Sequence, residues 1–297
     1  MLEVGMRLRW RFGAGLVALV AMTATALPVQ AGEPLEYVAL GDSAAAGPLI
    51  PNQDVNLLCL RSDRNYPAVA AKVLGARLTD VTCSGATTND LASRRLGILP
   101  PQFDALTSGT GLVSVTIGAN DSGLFTHALS CVNLLPEPIG TSCADRLTAG
   151  GNDVLAGTVD AWAPKFGAAL DEIRRRAPNA KILVTGYGTY VRPNGCFPEQ
   201  PVWARDANYL QGVMDRISLR AKEQATARGA RFVDFAAVTV GHDICAAPED
   251  RYLEGLVPAH AAAPLHPNAE GMAAFGNAIA AAASTPGVVR ATRRSTP

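Results

Sequence analysis

Ser43 is the residue best placed to act as a nucleophile, because it directly follows an apolar, β-branched run at residues 35–40. It ends the motif Gly41-Asp42-Ser43, and three alanines at 44–46 leave its hydroxyl reachable. A helix that begins here would direct free backbone N–H groups toward a bound anion. By itself, a serine at such a position more often caps a helix. The local sequence is neither a G-x-S-x-G nucleophile elbow nor a phosphate-binding P-loop.

The base that a serine nucleophile requires has four candidates, the histidines at positions 127, 242, 260 and 266. His266 is favoured, because Pro267 suits the first turn of a helix and so places His266 at the entrance to the predicted last helix. His260 is the second candidate. A lone histidine is more often a surface or capping residue, so this role depends on the other positions.

Two positions that follow other apolar runs could donate hydrogen bonds to an oxyanion. Gly85 can present its backbone N–H with no side chain in the way. Asn120, in the motif Gly118-Ala119-Asn120-Asp121, can present a side-chain amide. Either residue alone is more typical of a turn, so the prediction depends on the set rather than on one member.

The elements between these positions must bring them together. Short, apolar, β-branched runs predict five strands, at 35–40, 77–82, 112–117, 181–185 and 231–235. Amphipathic segments predict helices at 66–74, 158–176, 202–228 and 268–283. This alternation predicts an α/β fold of three layers, α/β/α, with a five-stranded parallel sheet in the middle. Ligands bind beyond the carboxyl ends of such strands, where the loops 122–157 and 187–201 are expected to form pocket walls.

The order of these motifs resembles that of the SGNH hydrolases, also called the GDSL lipase/esterase family. The matching motifs are Gly41-Asp42-Ser43, Gly85, the Gly118–Asp121 segment and His266-Pro267-Asn268, and the resemblance spans about residues 35–283. It implies a flavodoxin-like SGNH hydrolase fold. It also implies that Ser43 attacks an ester carbonyl and that His266 carries the proton. The oxyanion would be held by the N–H groups of Ser43 and Gly85 and by the Asn120 amide.

One position departs from the family pattern. The family usually has an acid three residues before the histidine, but this chain has Ala263 there. Some members of the secreted branch orient the imidazole with a main-chain carbonyl instead. We therefore expect a dyad of Ser43 and His266, supported by the carbonyl of Ala263. A carbonyl can fix the imidazole tautomer, but it stabilises the imidazolium less than a carboxylate would.

The N-terminus predicts export. Arginines at 7, 9 and 11, an apolar run at 13–27 and Val29-Gln30-Ala31 form the layout of a secretory signal peptide over 1–31, cleaved after Ala31. No later stretch is long and apolar enough to span a membrane. We expect one SGNH hydrolase domain at 32–283 and a flexible basic tail at 284–297.

The composition fits a globular protein. The 297 residues are 48% hydrophobic and 18% charged, which excludes a disordered chain. Basic and acidic residues balance at 26 each, and this argues against a dedicated nucleic-acid binder. Without the signal peptide the chain loses three arginines and one glutamate, so its net charge becomes −2.

Six cysteines predict three disulfides in an oxidising compartment. Six cysteines allow fifteen pairings. The sequence has no C-x-x-C motif, and no cluster of Cys and His residues has the spacing of a zinc site. The resemblance to the secreted, three-disulfide bacterial branch of the family implies sequential pairing. The implied pairs are Cys59–Cys83, Cys131–Cys143 and Cys196–Cys245.

The function that the resemblance implies is secreted carboxylic ester hydrolysis, by a lipase, esterase or phospholipase A1 that acts in lipid degradation. The expected partner is a small-molecule or lipid ester, and the expected protein is a monomer with no cofactor and no metal. One alternative is a carbohydrate esterase of the acetylxylan type, which three tryptophans support poorly. Another is a catalytically inactive secreted module that binds lipid or carbohydrate on the same fold.

Overall fold

A parallel β-sheet forms the middle layer of the protein, in a computed structural model that describes residues 1–3, 5, 33–55 and 57–285. The strands are β1 (Glu36–Gly41), β2 (Arg77–Asp80), β3 (Leu112–Thr116), β4 (Lys181–Thr185) and β5 (Arg231–Val233), in the order β2-β1-β3-β4-β5. All of them belong to the unit that begins at Pro34. The predicted cleavage point and most of the predicted signal peptide and basic tail lie outside the described residues.

Nine α-helices connect and cover the strands in the described part of the chain. They are α1 (Ser43–Ala46), α2 (Tyr66–Leu74), α3 (Thr88–Ala92), α4 (Leu124–Leu129), α5 (Cys143–Leu147), α6 (Val154–Arg176), α7 (Ala204–Ala227), α8 (Ala236–Thr239) and α9 (Ala269–Ser284). Short 3₁₀ helices lie at Gln102–Ala105, Ala149–Gly151 and Pro248–Asp250. No described helix combines the length and the apolar character needed to cross a membrane.

Successive side chains of a strand point to opposite faces of the sheet, and in the central strands β1, β3 and β4 both sets are buried. On one face, Val38 and Val113 belong to a core that includes residues of α6 and α7 such as Phe166. On the other face, Tyr37 belongs to a core that includes residues of α2 and α9 such as Phe275. The predicted three-layer α/β/α fold with five parallel strands is therefore confirmed.

Helix caps explain where the observed elements differ from the predicted ones. Helix α6 begins at Val154, four residues before the predicted start, because the Asp153 carboxylate accepts a hydrogen bond from the Ala156 N–H at 2.9 Å. Helix α9 begins at Ala269, one residue after the predicted start, because Asn268 caps it by accepting a hydrogen bond from the Gly271 N–H. The segment predicted as a loop at 122–157 contains α4, α5 and the start of α6. Helices α4 and α5 are too short to show a clear period, and the start of α6 depends on a cap that hydropathy does not show.

Three disulfides cross-link the loops that follow the strands. They join Cys59 to Cys83, Cys131 to Cys143 and Cys196 to Cys245, the same pairs that the family resemblance implies. The first holds the loop after α1 to the chain that leaves β2, and the third holds the loop after β4 to the loop after β5. All three therefore brace the carboxyl edge of the sheet.

Candidate active site

Ser43 stands at the carboxyl end of β1 as the first residue of α1. Asp42 caps this helix, and its Oδ1 accepts a hydrogen bond from the Ala44 N–H at 2.9 Å. The Asp42 N–H donates to the carbonyl of Thr116 at 2.9 Å, which ties the turn to the end of β3. A Cβ at Gly41 would lie 2.5 Å from that same carbonyl, so only glycine permits this approach. The Gly-Asp-Ser motif is thus explained by local geometry.

His266 reaches Ser43 across 223 residues of chain. Its Nε2 lies 2.7 Å from the Ser43 Oγ, and its Nδ1 lies 2.8 Å from the carbonyl oxygen of Pro264. Because a carbonyl can only accept, Nδ1 carries the proton and Nε2 is left to accept the serine hydroxyl proton. The pair therefore has the geometry of a nucleophile and its base.

The carbonyl predicted to orient His266 was the wrong one. The residue is Pro264 and not Ala263, whose own N–H donates to the carbonyl of Pro48 at 2.9 Å. The reason is the conformation of Leu265, which has a left-handed φ of 59°. This turns the chain sharply, so the carbonyl two residues before the histidine meets its ring. A main-chain carbonyl rather than a carboxylate still holds the ring.

Burial favours the neutral form of His266. Desolvation lowers the pKa of this imidazole, and the hydrogen bond to the Pro264 carbonyl opposes that shift only in part. The backbone around it is held as well, since the Glu254 N–H donates to the His266 carbonyl at 2.9 Å. A neutral imidazole at ordinary pH is the form that can accept a proton.

Gly85 presents a free N–H at the end of the chain that follows β2. The N–H of Ser84 donates to the Cys59 carbonyl at 2.9 Å and that of Ala86 donates to the Cys83 carbonyl at 3.0 Å. Between them, Gly85 has a left-handed φ of 77° and its N–H has no partner among the described residues. The Cys59–Cys83 disulfide therefore holds the segment from which this donor projects.

Asn120 supplies a second donor after β3. One hydrogen of its amide goes to the carbonyl of Ala86 at 2.9 Å, which leaves the other for a ligand. Ser43 supplies a third donor, because its N–H has no partner within the described residues. Ser43, Gly85, Asn120 and His266 all line one cavity, so the structure brings the four predicted positions together.

That cavity has a volume of about 340 Å³ and a mostly apolar lining. Side chains of α4 and of the β4–α7 loop contribute to it, as predicted for the segments 122–157 and 187–201. Helix α7 forms a further wall that was not predicted, with Ala207, Leu210 and Met214 on the cavity side. Their spacing of three and four residues places them on one helical face, and this was the signal available in the sequence.

Tyr187 is a second group that sequence reasoning missed. Its hydroxyl donates to Asp42 Oδ2 at 2.5 Å and accepts from the Ala119 N–H at 3.0 Å. Burial raises the pKa of Asp42 to about 7, against the lowering effect of this hydrogen bond. The only sequence signal was the placement of Gly186-Tyr187-Gly188 directly after β4.

His260, the second candidate for the base, contacts Glu254 instead of Ser43. Its Nδ1 lies 2.7 Å from the Glu254 carboxylate, which is fully buried and also accepts from Asn268 at 2.8 Å. This pair supports the loop before α9. Within residues 33–55 and 57–285, no group of three or more His, Cys, Asp or Glu side chains is arranged to hold a metal ion.

Comparison with protein families finds a match over most of the chain. The GDSL-like Lipase/Acylhydrolase family matches residues 39–140 and 146–274. The chain is 40% identical over 268 residues to "Lipase 2" of Streptomyces coelicolor, which covers 87% of this chain and 89% of that protein. It is 33% identical over 213 residues to "Lipase" of Streptomyces rimosus, which covers 71% of this chain and 73% of the relative.

Two solved structures are similar over the full length of their own chains. A phospholipase A1 from Streptomyces albidoflavus NA297 superposes with a TM-score of 0.71 at 27% identity, and covers 84% of this chain and 100% of its own. An extracellular lipase from Streptomyces rimosus has the same TM-score at 26% identity and the same coverage.

Proposed function

We propose, from the premise that the chain belongs to the GDSL-like lipase/acylhydrolase family and is a carboxylic ester hydrolase, that it cleaves lipid-type esters through Ser43 and His266. One observation carries the assignment of the pair. His266 Nε2 lies 2.7 Å from the Ser43 Oγ, while its Nδ1 is held by the Pro264 carbonyl. That arrangement leaves the imidazole ready to accept one proton, from the serine hydroxyl.

In the proposed mechanism, the Ser43 Oγ attacks the ester carbonyl carbon while His266 Nε2 takes the hydroxyl proton. The negative charge on the former carbonyl oxygen is held by the N–H groups of Ser43 and Gly85 and by the Asn120 amide. When the carbon–oxygen bond to the alcohol breaks, His266 gives its proton to the leaving oxygen. Water then attacks the acyl-enzyme while His266 takes one of its protons. The bond between the acyl carbon and the Ser43 Oγ breaks, His266 returns the proton to Oγ, and the carboxylic acid leaves.

The cavity supports an acyl chain as the group that is bound. Its lining beside Ser43 is mostly apolar, and the transfer of methylene groups from water to such a surface lowers the free energy of binding. Exposed apolar side chains also stand next to lining residues in the chain, such as Leu49 beside Pro48 and Val257 beside Leu256. A lipase, esterase or phospholipase A1 fits these features better than an acetylxylan-type esterase does.

Secretion and a monomeric state are part of the same proposal. The N-terminal pattern supports export, the three disulfides fit an oxidising compartment, and the similar Streptomyces rimosus structure is that of an extracellular lipase. The proposed catalytic residues all belong to one chain, so the proposed reaction needs no second copy, and we propose a monomer. N-terminal sequencing of the exported protein, expected to begin at Gly32, tests the cleavage point.

Ser43→Ala tests the assignment of the nucleophile. We expect hydrolysis of a p-nitrophenyl ester to fall by about 10⁴-fold or more, with the unfolding temperature unchanged. Ser108→Ala, which changes an exposed serine, is the matched control and should keep full activity. A fluorophosphonate should label Ser43 in the unchanged protein. Turnover by Ser43→Ala, or an adduct on another serine, would exclude the proposed mechanism.

A further inference from the structure

Tyr187 lies between the two loops that carry the nucleophile and the oxyanion donor. Resting on the proposed role of Ser43, we propose that Tyr187 is a positioning residue for ester hydrolysis, because its hydroxyl holds the Asp42–Ser43 turn at a set distance from the Ala119–Asn120 turn. The residue is 4% exposed, so its hydroxyl is shielded from bulk water. This hydroxyl makes one hydrogen bond to Asp42 in the first turn and one to Ala119 in the second.

On the nucleophile side, Asp42 passes any displacement directly to Ser43. Asp42 Oδ1 caps α1 through the Ala44 N–H, and its own N–H is bound to the carbonyl of Thr116. The remaining carboxylate oxygen, Oδ2, is the one that accepts from Tyr187. A shift of this carboxylate would therefore tilt the first turn of α1, from which the Ser43 hydroxyl and N–H both project.

On the donor side, several contacts hold the Ala119–Asn120 turn. A Cβ on Gly118 would lie 2.6 Å from the ring of Trp162, so this turn packs directly against that ring. Tyr187 binds the N–H of Ala119, and Asn120 itself is tied to the carbonyl of Ala86. The Tyr187 hydrogen bond is thus the direct link between this turn and the nucleophile turn.

The linking atom has to donate and accept at once. A carboxylate only accepts and a backbone N–H only donates, so a hydroxyl between Asp42 and Ala119 satisfies both. Phenylalanine at 187 would keep the ring but leave the buried Asp42 carboxylate and the part-buried Ala119 N–H without this partner. The backbone of Tyr187 is held independently of the hydroxyl, because the Tyr187 N–H donates to the Ser218 hydroxyl on α7 at 3.0 Å.

Tyr187→Phe tests this role in the full chain, with Tyr37→Phe as the matched control. Tyr37 is also buried and its hydroxyl also links β1 to β3, through Ser114 at 2.7 Å, but it does not line the cavity. For Tyr187→Phe we expect kcat to fall by about 10- to 100-fold and KM to change by less than about threefold, since a misplacement near 1 Å costs about 10²-fold. Tyr37→Phe should lose stability without that loss of kcat.

The same bond can be tested from its other end. Asp42→Asn keeps an oxygen for the Ala44 N–H but loses the acceptor toward Tyr187, so it should reproduce the fall in kcat even if Tyr187→Phe does not fold. The double variant should be little worse than either single one, because both remove one interaction. Equal kcat for Tyr187→Phe and Tyr37→Phe would overturn the proposal, as would a rise in KM alone. Activity of Ser43→Ala would instead overturn the proposed function on which it rests.

Discussion

His266 is held by a neutral partner, and this decides how the site responds to protons. The Pro264 carbonyl orients the ring as a carboxylate would, but it adds no negative charge to stabilise the imidazolium. Burial also disfavours the imidazolium, and it lowers the pKa of His266. The proposed base is therefore weak but stays unprotonated over a wide pH range, and the oxyanion donors must supply much of the stabilisation of the transition state.

The pH profile of kcat/KM should reflect this environment. Because only neutral His266 can accept the Ser43 proton, activity should fall as the pH drops through the folded-state pKa, which lies below the ordinary value of 6.5. Steady-state rates between pH 4 and 9 measure that limb. Asp42→Asn, although slower, removes the neighbouring carboxyl whose pKa burial raises to about 7, so the acid limb that remains in this variant reports His266. An acid limb centred above 6.5 in Asp42→Asn would contradict the prediction.

Helix α7 contacts both the cavity and the hydrophobic core. Ala207, Leu210 and Met214 line the cavity, while Val213, Ile217 and Ala221 on the same helix are buried in the core. One amphipathic helix thus joins the proposed acyl-binding wall to the core of the fold. The size of its cavity-facing side chains is expected to set how much of an acyl chain the site accepts.

Met214→Trp should shift selectivity toward short acyl chains. The larger ring fills space in the 340 Å³ cavity, and excluding two or three methylene groups costs about 2 kcal/mol, or about 30-fold in kcat/KM for long chains. A panel of p-nitrophenyl esters from acetate to palmitate measures this, and the unchanged protein should prefer chains longer than acetate. Leu219→Trp, at an exposed position of the same helix, is the control. An unchanged chain-length profile in Met214→Trp would show that this wall does not contact the acyl group.

At the scale of the whole molecule, cross-links are concentrated where the chain is least regular. No disulfide joins two of the described strands, whereas three disulfides join described loops at the carboxyl edge of the sheet. Loops have few backbone hydrogen bonds of their own to resist opening. The disulfides therefore stabilise the part of the protein that carries the site and its cavity walls.

Removing a disulfide should destabilise the protein in proportion to the loop that it closes. Cys196 and Cys245 are 49 residues apart, so replacing both with alanine should cost about 4 kcal/mol, and the pair Cys131–Cys143, 12 apart, about 3 kcal/mol. Urea unfolding of both double variants measures the difference, with the reduced unchanged protein as a reference. A larger loss for the shorter loop would contradict the chain-entropy explanation.

Several features followed from the sequence because they depend on local patterns. Five apolar runs predicted the five strands, and the Gly-Asp-Ser turn placed Ser43 at the end of the first. The family resemblance, which the family match confirms, supplied the expectation that Gly85, Asn120 and His266 would meet Ser43. Caps such as Asp153 were visible as residue types, but hydropathy alone did not show that α6 would begin there.

Tertiary structure decided the details that depend on how distant elements lie against one another. The family resemblance pointed to Ala263, but the turn at Leu265 selects the Pro264 carbonyl. Likewise, Tyr187 meets Asp42 across 145 residues, at a point where the ends of β1, β3 and β4 converge. The period of a strand or helix is fixed by its own backbone hydrogen bonds. A contact between loops is fixed only after the sheet order, the helix packing and the turns are all in place.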